Sequence, residues 1–306
     1  MSEQFDVVII GAGPAGLSAA IYTGRARLNA LVLEKGIPGG QILITDWIEN
    51  YPGFPDGAAP FELMENFRKH AIKFGAQIVT DEAREIHRDG DRWVVRGGKA
   101  DYPARTVIVT TGAAYRRLGL PSEAKLIGRG VSYCATCDGP FFRDREIAVV
   151  GGGDTALMEA EFLTKFAGAV HLIHRRDKLR GTKILQERVF ANPKIVFHWN
   201  SVVDEIRGDA NLESVVLKNV KDGSRSTLSI EGLFISIGMD PTNEIVKGLL
   251  KLNEWGEIVV DEKMATSAPG IYAAGDVLAG APHQVATAVG TGVHAAISVD
   301  EYLSTK

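Results

Sequence analysis

Cysteine is nearly absent: two thiols in 306 residues. That scarcity excludes a disulfide-stapled scaffold and any site needing four cysteine ligands. The longest apolar runs have only the length of a strand, so no transmembrane helix is expected. Positive charge is not in excess either. The 34 Lys and Arg face 38 Asp and Glu, and a net charge of −4 argues against nucleic acid as a main partner. Low-complexity tracts are missing. Residues Met1 to Asp6 lead straight into a strand pattern, without the charged, apolar and small-residue regions of a secretory leader. What remains is 45% hydrophobic and 24% charged, long enough for two ordinary domains and expected in a reducing cytoplasm.

The two thiols stand three apart, in the run Ser132-Tyr133-Cys134-Ala135-Thr136-Cys137-Asp138-Gly139. A C-x-x-C at a helix start can close a short, reducible disulfide, and the helix N-terminus favours the thiolate of the first cysteine. Half a zinc site is the alternative. It needs a second Cys or His pair; the chain has no third cysteine, and the nearest histidines are distant in sequence, His87 before the pair and His171, with His174, after it. No metal is expected. Asp138 follows the pair at once. A carboxylic acid beside a dithiol can carry the proton that thiolate chemistry releases or needs, while a helix-capping aspartate is the plainer reading.

A strand, a glycine turn, a helix and a second strand occur twice. In the first copy they are Phe5 to Ile10, Gly11-Ala12-Gly13-Pro14-Ala15-Gly16, Leu17 to Arg27 and Ala30 to Glu34. In the second they are Glu146 to Val150, Gly151-Gly152-Gly153-Asp154-Thr155-Ala156, Leu157 to Phe166 and Ala169 to Ile173. Such a turn lets backbone N–H groups approach a pyrophosphate at the helix N-terminus. A lone G-x-G-x-x-G is weak evidence. Two are strong when Gly11 to Glu34 and Gly151 to His174 both span 23 positions.

The copies differ at that last position. Glu34 can accept hydrogen bonds from both ribose hydroxyls, so the first site expects a nucleotide whose ribose hydroxyls are free. The second copy has His174-Arg175-Arg176, with Arg180 shortly after. A carboxylate there would repel a 2′-phosphate, whereas guanidiniums attract it and can bind it bidentately. The second site therefore expects NADPH; a solvated basic helix start is the bland alternative. Arg105 to Ala113, through Thr111 and Gly112, looks like a return to the first site, and Glu231 to Gly238 is its counterpart in the second half. Thr266 to Asp276 delivers Gly275-Asp276, where a carboxylate can hold a ribityl hydroxyl, and Gly290-Thr291-Gly292 is expected to lead into the closing helix. The fold expected is α/β, with two Rossmann-like dinucleotide-binding domains, the second inserted into the first. Residues 1–112 and 241–306 form one and 113–240 the other. Arg84 to Arg96 and Val202 to Ser229 are expected as β-meander covers, one per domain.

On these residues the chain resembles the bacterial low-molecular-weight thioredoxin reductases, over essentially its full length. The two glycine turns, Gly39-Gly40-Gln41, Glu49-Asn50-Tyr51-Pro52-Gly53, Cys134 to Gly139, His174-Arg175-Arg176 and Gly275-Asp276-Val277 all fall in the family's order. Cys-Ala-Thr-Cys-Asp inside the second domain is the most specific; related disulfide reductases carry a C-x-x-x-x-C in the first. The resemblance implies a homodimeric FAD enzyme in which hydride passes from NADPH to the flavin, and electrons then pass to the Cys134–Cys137 disulfide and on to thioredoxin. It implies that Cys137 faces the flavin, Cys134 attacks the partner disulfide and Asp138 handles the proton. FAD would be held by Gly11, Gly13, Pro14, Ala15, Gly16, Glu34, Lys35, Gly40, Gln41, Asn50, Thr111, Gly112, Gly275, Asp276, His283, Gln284 and Val285. NADPH would be held by Gly151, Gly153, Asp154, Thr155, Ala156, His174, Arg175, Arg176, Arg180, Ile237 and Gly238. Thioredoxin would dock on Arg129, Phe141 and Phe142. The family also rotates one domain against the other between half-reactions, a motion the crossings near Gly112-Ala113 and Asp240-Pro241 would absorb. The chain departs from the family pattern at His283-Gln284-Val285, where Arg-Gln-Ala is common, and at Asp154, where Asn or Ser is common.

Relatives that keep this fold and change the job lack one of these features. Flavodoxin or ferredoxin reductases lack the C-x-x-C. Ferredoxin-linked thioredoxin reductases and dithiol oxidases lack the arginine cluster. Peroxiredoxin reductases of this type add an N-terminal thioredoxin-like domain, which is not expected here. A redox-sensing flavoprotein that binds a partner without turnover is a different class, and steady NADPH oxidation with a thioredoxin would exclude it.

Overall fold

The run Phe5–Ile10 is rich in β-branched residues, and Val7, Val8 and Ile9 are fully buried, as the centre of a parallel sheet requires. In the computed structural model, which describes residues 4–44, 47–48 and 50–305, the chain forms two compact units. One is Met1–Ala114 with Asp240–Lys306; the other is Tyr115–Met239.

In the first unit Phe5–Ile10 lies parallel between Ala30–Glu34 and Asp101–Val109, with Gln77–Thr80 beyond Ala30–Glu34. Asp101–Val109 serves two partners along its other edge. Arg92–Arg96 pairs antiparallel with its first residues and Ile271–Ala273 parallel with its last. The hairpin Glu85–Asp89 and Arg92–Arg96 thereby continues the main sheet and is not the separate cover expected from the sequence. The cause is apolar continuity: Ile86, Trp93 and Val95 share one buried cluster with Phe5, Val8 and Val107.

In the second unit Glu146–Val150 lies parallel between Ala169–His174 and Gly232–Ile235, with Ile195–Trp199 and Val131–Ser132 at the edges. Here the meander is a sheet of its own. Ser201–Arg207, Ser214–Asn219 and Arg225–Ser229 pair antiparallel and bury Val203, Ile206, Val215 and Leu217. The two chain crossings, Ala113–Tyr115 and Met239–Pro241, pair as short strands.

Both turn helices start three residues before the position that apolar spacing suggests, as Pro14–Arg25 and Asp154–Leu163. Pro14 can open a helix because it has no N–H to satisfy and its φ is already helical. The closing helix is Val285–Ser304, so Gly290 and Gly292 lie inside it, not ahead of it. A Cβ at Gly292 would stand 2.2 Å from the Ala15 carbonyl oxygen; glycine there lets this helix lie on Pro14–Arg25 in backbone contact.

Candidate functional site

Cys134 and Cys137 are joined as a disulfide, with Cα atoms 5.3 Å apart and both residues partly exposed. Both thiols are thus engaged with each other. The chain enters this ring from the edge strand Val131–Ser132 and leaves through one helical turn, Ala135–Asp138. Ser132 is buried, and its hydroxyl accepts the Cys134 N–H at 3.1 Å while donating to Asp138 Oδ2 at 2.5 Å. Glu159, on the helix of the second glycine turn, accepts the Ala135 N–H and the Ser236 hydroxyl. Burial pushes the Glu159 carboxyl up, against the pull of those two hydrogen bonds. The Tyr133 hydroxyl donates to buried Glu123 at 2.5 Å, and Glu123 also accepts the N–H groups of Leu118, Gly119 and Leu120. Burial first, and Glu123 second, push the Tyr133 phenol far up. Its ring stacks on Tyr115, centroids 5.0 Å apart.

Sequence pattern assigned no part to Ser132, Glu123 or Glu159. Glu159 carried a signal, because it sits three residues after buried Ala156, on the helix stripe that faces inward. A carboxyl on such a stripe needs partners, and here it has them.

At the second glycine turn, the Gly151 N–H donates to Ile173 O at 3.1 Å and the Ser236 N–H to Val150 O at 2.9 Å. This places the strand end that leads to Ile237 and Gly238 beside the turn. Thr155 is exposed and Ala156 buried. Asp154 opens the helix, and its carboxylate accepts the Thr182 N–H at 2.6 Å. His174 is turned inward. Its Nε2 is 3.0 Å from Lys178 O, and a Cβ at Gly152 would meet the ring at 2.3 Å. Burial lowers the His174 imidazole, which favours its neutral form beneath the turn. Arg175, Arg176 and Arg180 are exposed, and none of the three guanidiniums is ion-paired among the described residues.

In the first unit Glu34 is fixed over the glycine turn, with Oε2 accepting the Ala12 N–H at 2.8 Å and Oε1 the Gly36 N–H at 2.9 Å. The Gly39 N–H donates to Ala12 O at 2.8 Å, and a Cβ at Gly40 would come 3.2 Å from Gly13 Cα, so this loop lies on the turn. Lys35 and Gln41 are exposed. Gly275 reaches the same helix start: its N–H donates to Thr291 at 3.0 Å, and a Cβ would stand 2.9 Å from that of Ala15. The Thr111 hydroxyl donates to Thr242 O at 2.5 Å and Gly112 O accepts the Thr242 N–H, which pins that strand end. Asn50 donates to Gln284 at 3.1 Å, just before Val285 opens the closing helix. His283 holds a left-handed backbone (φ 52), and its buried Nδ1 has no hydrogen-bond partner among the described residues and lies 3.9 Å from Asp276. Glu49, part of one resembling motif, lies outside the described residues.

Of the three residues expected to meet a partner, Arg129 and Phe141 are exposed, Phe141 by 46%. Phe142 is not available. It packs edge-on against Phe234, centroids 5.3 Å apart, and a Cβ at Gly232 would stand 2.7 Å from its ring. Adjacent residues on this turn point opposite ways, and the apolar core claims the second.

Residues 5–292 match the family described as pyridine nucleotide-disulphide oxidoreductase. The chain is 48% identical to the thioredoxin reductase of Streptomyces coelicolor, over 99% of this chain and 95% of that one. It is 46% identical to the thioredoxin reductase of Bacillus subtilis, over 99% and 96%. The crystal structure of thioredoxin reductase from Streptococcus pyogenes matches with a TM-score of 0.95 at 45% identity, covering 100% of both chains. The chain belongs to the pyridine nucleotide-disulphide oxidoreductase family and, within it, to the thioredoxin reductases.

Proposed function

We propose that this chain is an NADPH-dependent thioredoxin-disulfide reductase that carries FAD in the first unit and binds NADPH on the second. One observation carries the reading: the Cys134–Cys137 disulfide belongs to the unit whose glycine turn is followed by three guanidiniums with no ion pair among the described residues. A redox ring and a 2′-phosphate site on one unit suit an electron path that starts at NADPH.

The residues of the first unit fit FAD. A Cβ at Gly16 would stand 1.9 Å from the Gly11 carbonyl oxygen, a close approach that brings helix and turn together around a pyrophosphate. Glu34 keeps lone pairs for ribose hydroxyls after accepting two amides. Asp276 would hold a ribityl hydroxyl, and the orphaned His283 Nδ1 waits for a partner on the same side. The flavin, when bound, would supply two-electron relay between the nicotinamide and the disulfide. Arg175 and Arg176, with Arg180, would grip the 2′-phosphate, and His174 would support the turn beneath it.

Thiol–disulfide exchange is the work of this chain's own residues. The Cys134 thiol gives its proton to Asp138, and its sulfur bonds to one sulfur of the thioredoxin disulfide. That disulfide breaks, and the leaving sulfur takes a proton. Cys137 then loses its proton and attacks Cys134, which re-forms the ring and releases the second thioredoxin sulfur as a thiol. The dithiol of the enzyme is oxidised and the disulfide of thioredoxin reduced, two electrons and two protons passing across. Arg129 and Phe141 are the contacts offered to thioredoxin. A homodimer and a cytoplasmic setting belong to the same proposal.

The test is NADPH-dependent reduction of a dithiol-detecting dye, with and without thioredoxin. Turnover should depend on thioredoxin, and Cys134→Ser should abolish it while the protein stays yellow. A wild type loaded with FAD that reduces no thioredoxin would refute the reading.

A further inference from the structure

Ser132 precedes the redox ring by two residues and is 4% exposed. A hydroxyl has one proton to donate and two lone pairs. The proton goes to Asp138 Oδ2 at 2.5 Å, since the other acceptor within reach, Cys134 O, lies at 3.5 Å. A lone pair accepts the Cys134 N–H at 3.1 Å. One oxygen atom therefore ties the acid to the backbone of the attacking cysteine.

We propose that Ser132 is a positioning residue of thiol–disulfide exchange: its hydroxyl holds the ionised Asp138 carboxylate at the Cys134 turn, oriented to take the Cys134 thiol proton. The assignment rests on the reductase reading given above. When Cys134 attacks, its S–H bond breaks, the proton goes to Asp138, and the sulfur's electron pair forms the bond to the partner sulfur. The partner's S–S bond breaks in the same step, and the carboxylic acid returns a proton as the exchange completes. Donation to an ionised carboxylate favours that form over the acid, so removing the hydroxyl moves the ionisation of the base to higher pH. Among the described residues Glu159 reaches this segment at the Ala135 N–H and Glu123 at the Tyr133 hydroxyl, and neither contact runs through Ser132.

The experiment compares holoenzyme variants between about pH 5 and 9, reading kcat/KM for thioredoxin. In Ser132→Ala the acid limb should move up by about one pH unit, which is roughly a tenfold loss below the limb and near-full rate above it. Ser132→Thr, which keeps a hydroxyl, should restore the limb. Asp138→Asn should remove the limb, and adding Ser132→Ala to it should change nothing further. A loss of equal size at every pH would overturn the proposal, as would an effect of Ser132→Ala that persists in the Asp138→Asn background. A second readout needs no thioredoxin: alkylation of Cys134 by iodoacetamide in dithiothreitol-reduced protein, followed by mass spectrometry. The same upward shift should appear there, and an unshifted profile refutes the role of Ser132. If the wild type turned over no thioredoxin, the reductase reading would fall while this profile still decided on Ser132.

Discussion

Replacing Glu123 by alanine removes the acceptor of four donors at once, the N–H groups of Leu118, Gly119 and Leu120 and the Tyr133 hydroxyl. Glu123 is 2% exposed, so water reaches those donors poorly. Each buried donor left without a partner costs about 1–3 kcal/mol. The Leu120 contact is long, at 3.3 Å, and a loop can partly reopen to solvent, which brings the expected loss down to about 3–5 kcal/mol. For a unit the size of Tyr115–Met239 that is a fall in melting temperature of roughly 10–15 °C. Glu123→Gln keeps one carbonyl oxygen and turns an NH₂ against the remaining donors, so it should lose more than half as much. Tyr133→Phe removes one donor and should cost about 1 kcal/mol. The assay is calorimetric melting of the holoprotein for each variant and for the double mutant. The double should be no less stable than Glu123→Ala alone, because phenylalanine removes a hydroxyl that has already lost its acceptor. A shift below about 3 °C for Glu123→Ala, or additive losses in the double, would refute the account of Glu123 as the clamp behind the redox ring.

Arg175→Ala with Arg176→Ala should raise the KM for NADPH, each charge-assisted contact being worth about 1.5–3 kcal/mol, with little change for NADH and no loss of flavin. Equal use of both nucleotides by the wild type would place the arginines in solvent. Gly16→Val should yield colourless protein, since even its Cβ would stand 1.9 Å from Gly11 O; a fully yellow variant would count against this turn as the flavin cradle. Burial raises the Glu159 carboxyl above its ordinary 4.5. The unfolded chain then releases that proton first, so Glu159 reduces stability as pH climbs from 4.5 through the raised value. Glu159→Gln cannot ionise and should melt higher than wild type above that window, with the gap closing in acid; a gap independent of pH would assign the effect to packing.

Local pattern carried much of the molecule. The β-branched run Phe5–Ile10, the glycine turns and Pro14 act within a few residues of one another, so strands, turns and helices follow from adjacent chemistry. The disulfide pair is likewise a matter of four consecutive residues. What the sequence concealed depends on partners far along the chain. The hairpin Glu85–Asp89 and Arg92–Arg96 continues the sheet because its apolar face meets Phe5 and Val107, which periodicity within the hairpin does not show. Phe141 and Phe142 look alike in sequence; Phe234 and Gly232 decide which of them is buried. Ser132 lay in plain view, but the direction of its hydroxyl is set by the turn at Ala135–Asp138.

Glu34 and His174 make the same point from equal offsets. Both end the second strand of a glycine-turn unit, and the offset alone would give both the same task. Glu34 is short enough to accept the Ala12 and Gly36 amides and still present oxygen to a ligand. His174 has no such freedom, because Gly152 leaves a space that the imidazole fills and Lys178 O captures its Nε2. On the proposed reading, recognition of a phosphate would fall to the residues that follow, and Arg175, Arg176 and Arg180 stand there exposed and unpaired among the described residues. An unpaired guanidinium gains more from a 2′-phosphate than one already matched with a carboxylate, since it gives up no partner on binding. On the proposed reading, the second unit would separate two jobs that Glu34 would combine in the first: a buried ring that shapes the turn, and exposed cations, unpaired among the described residues, that would select the nucleotide.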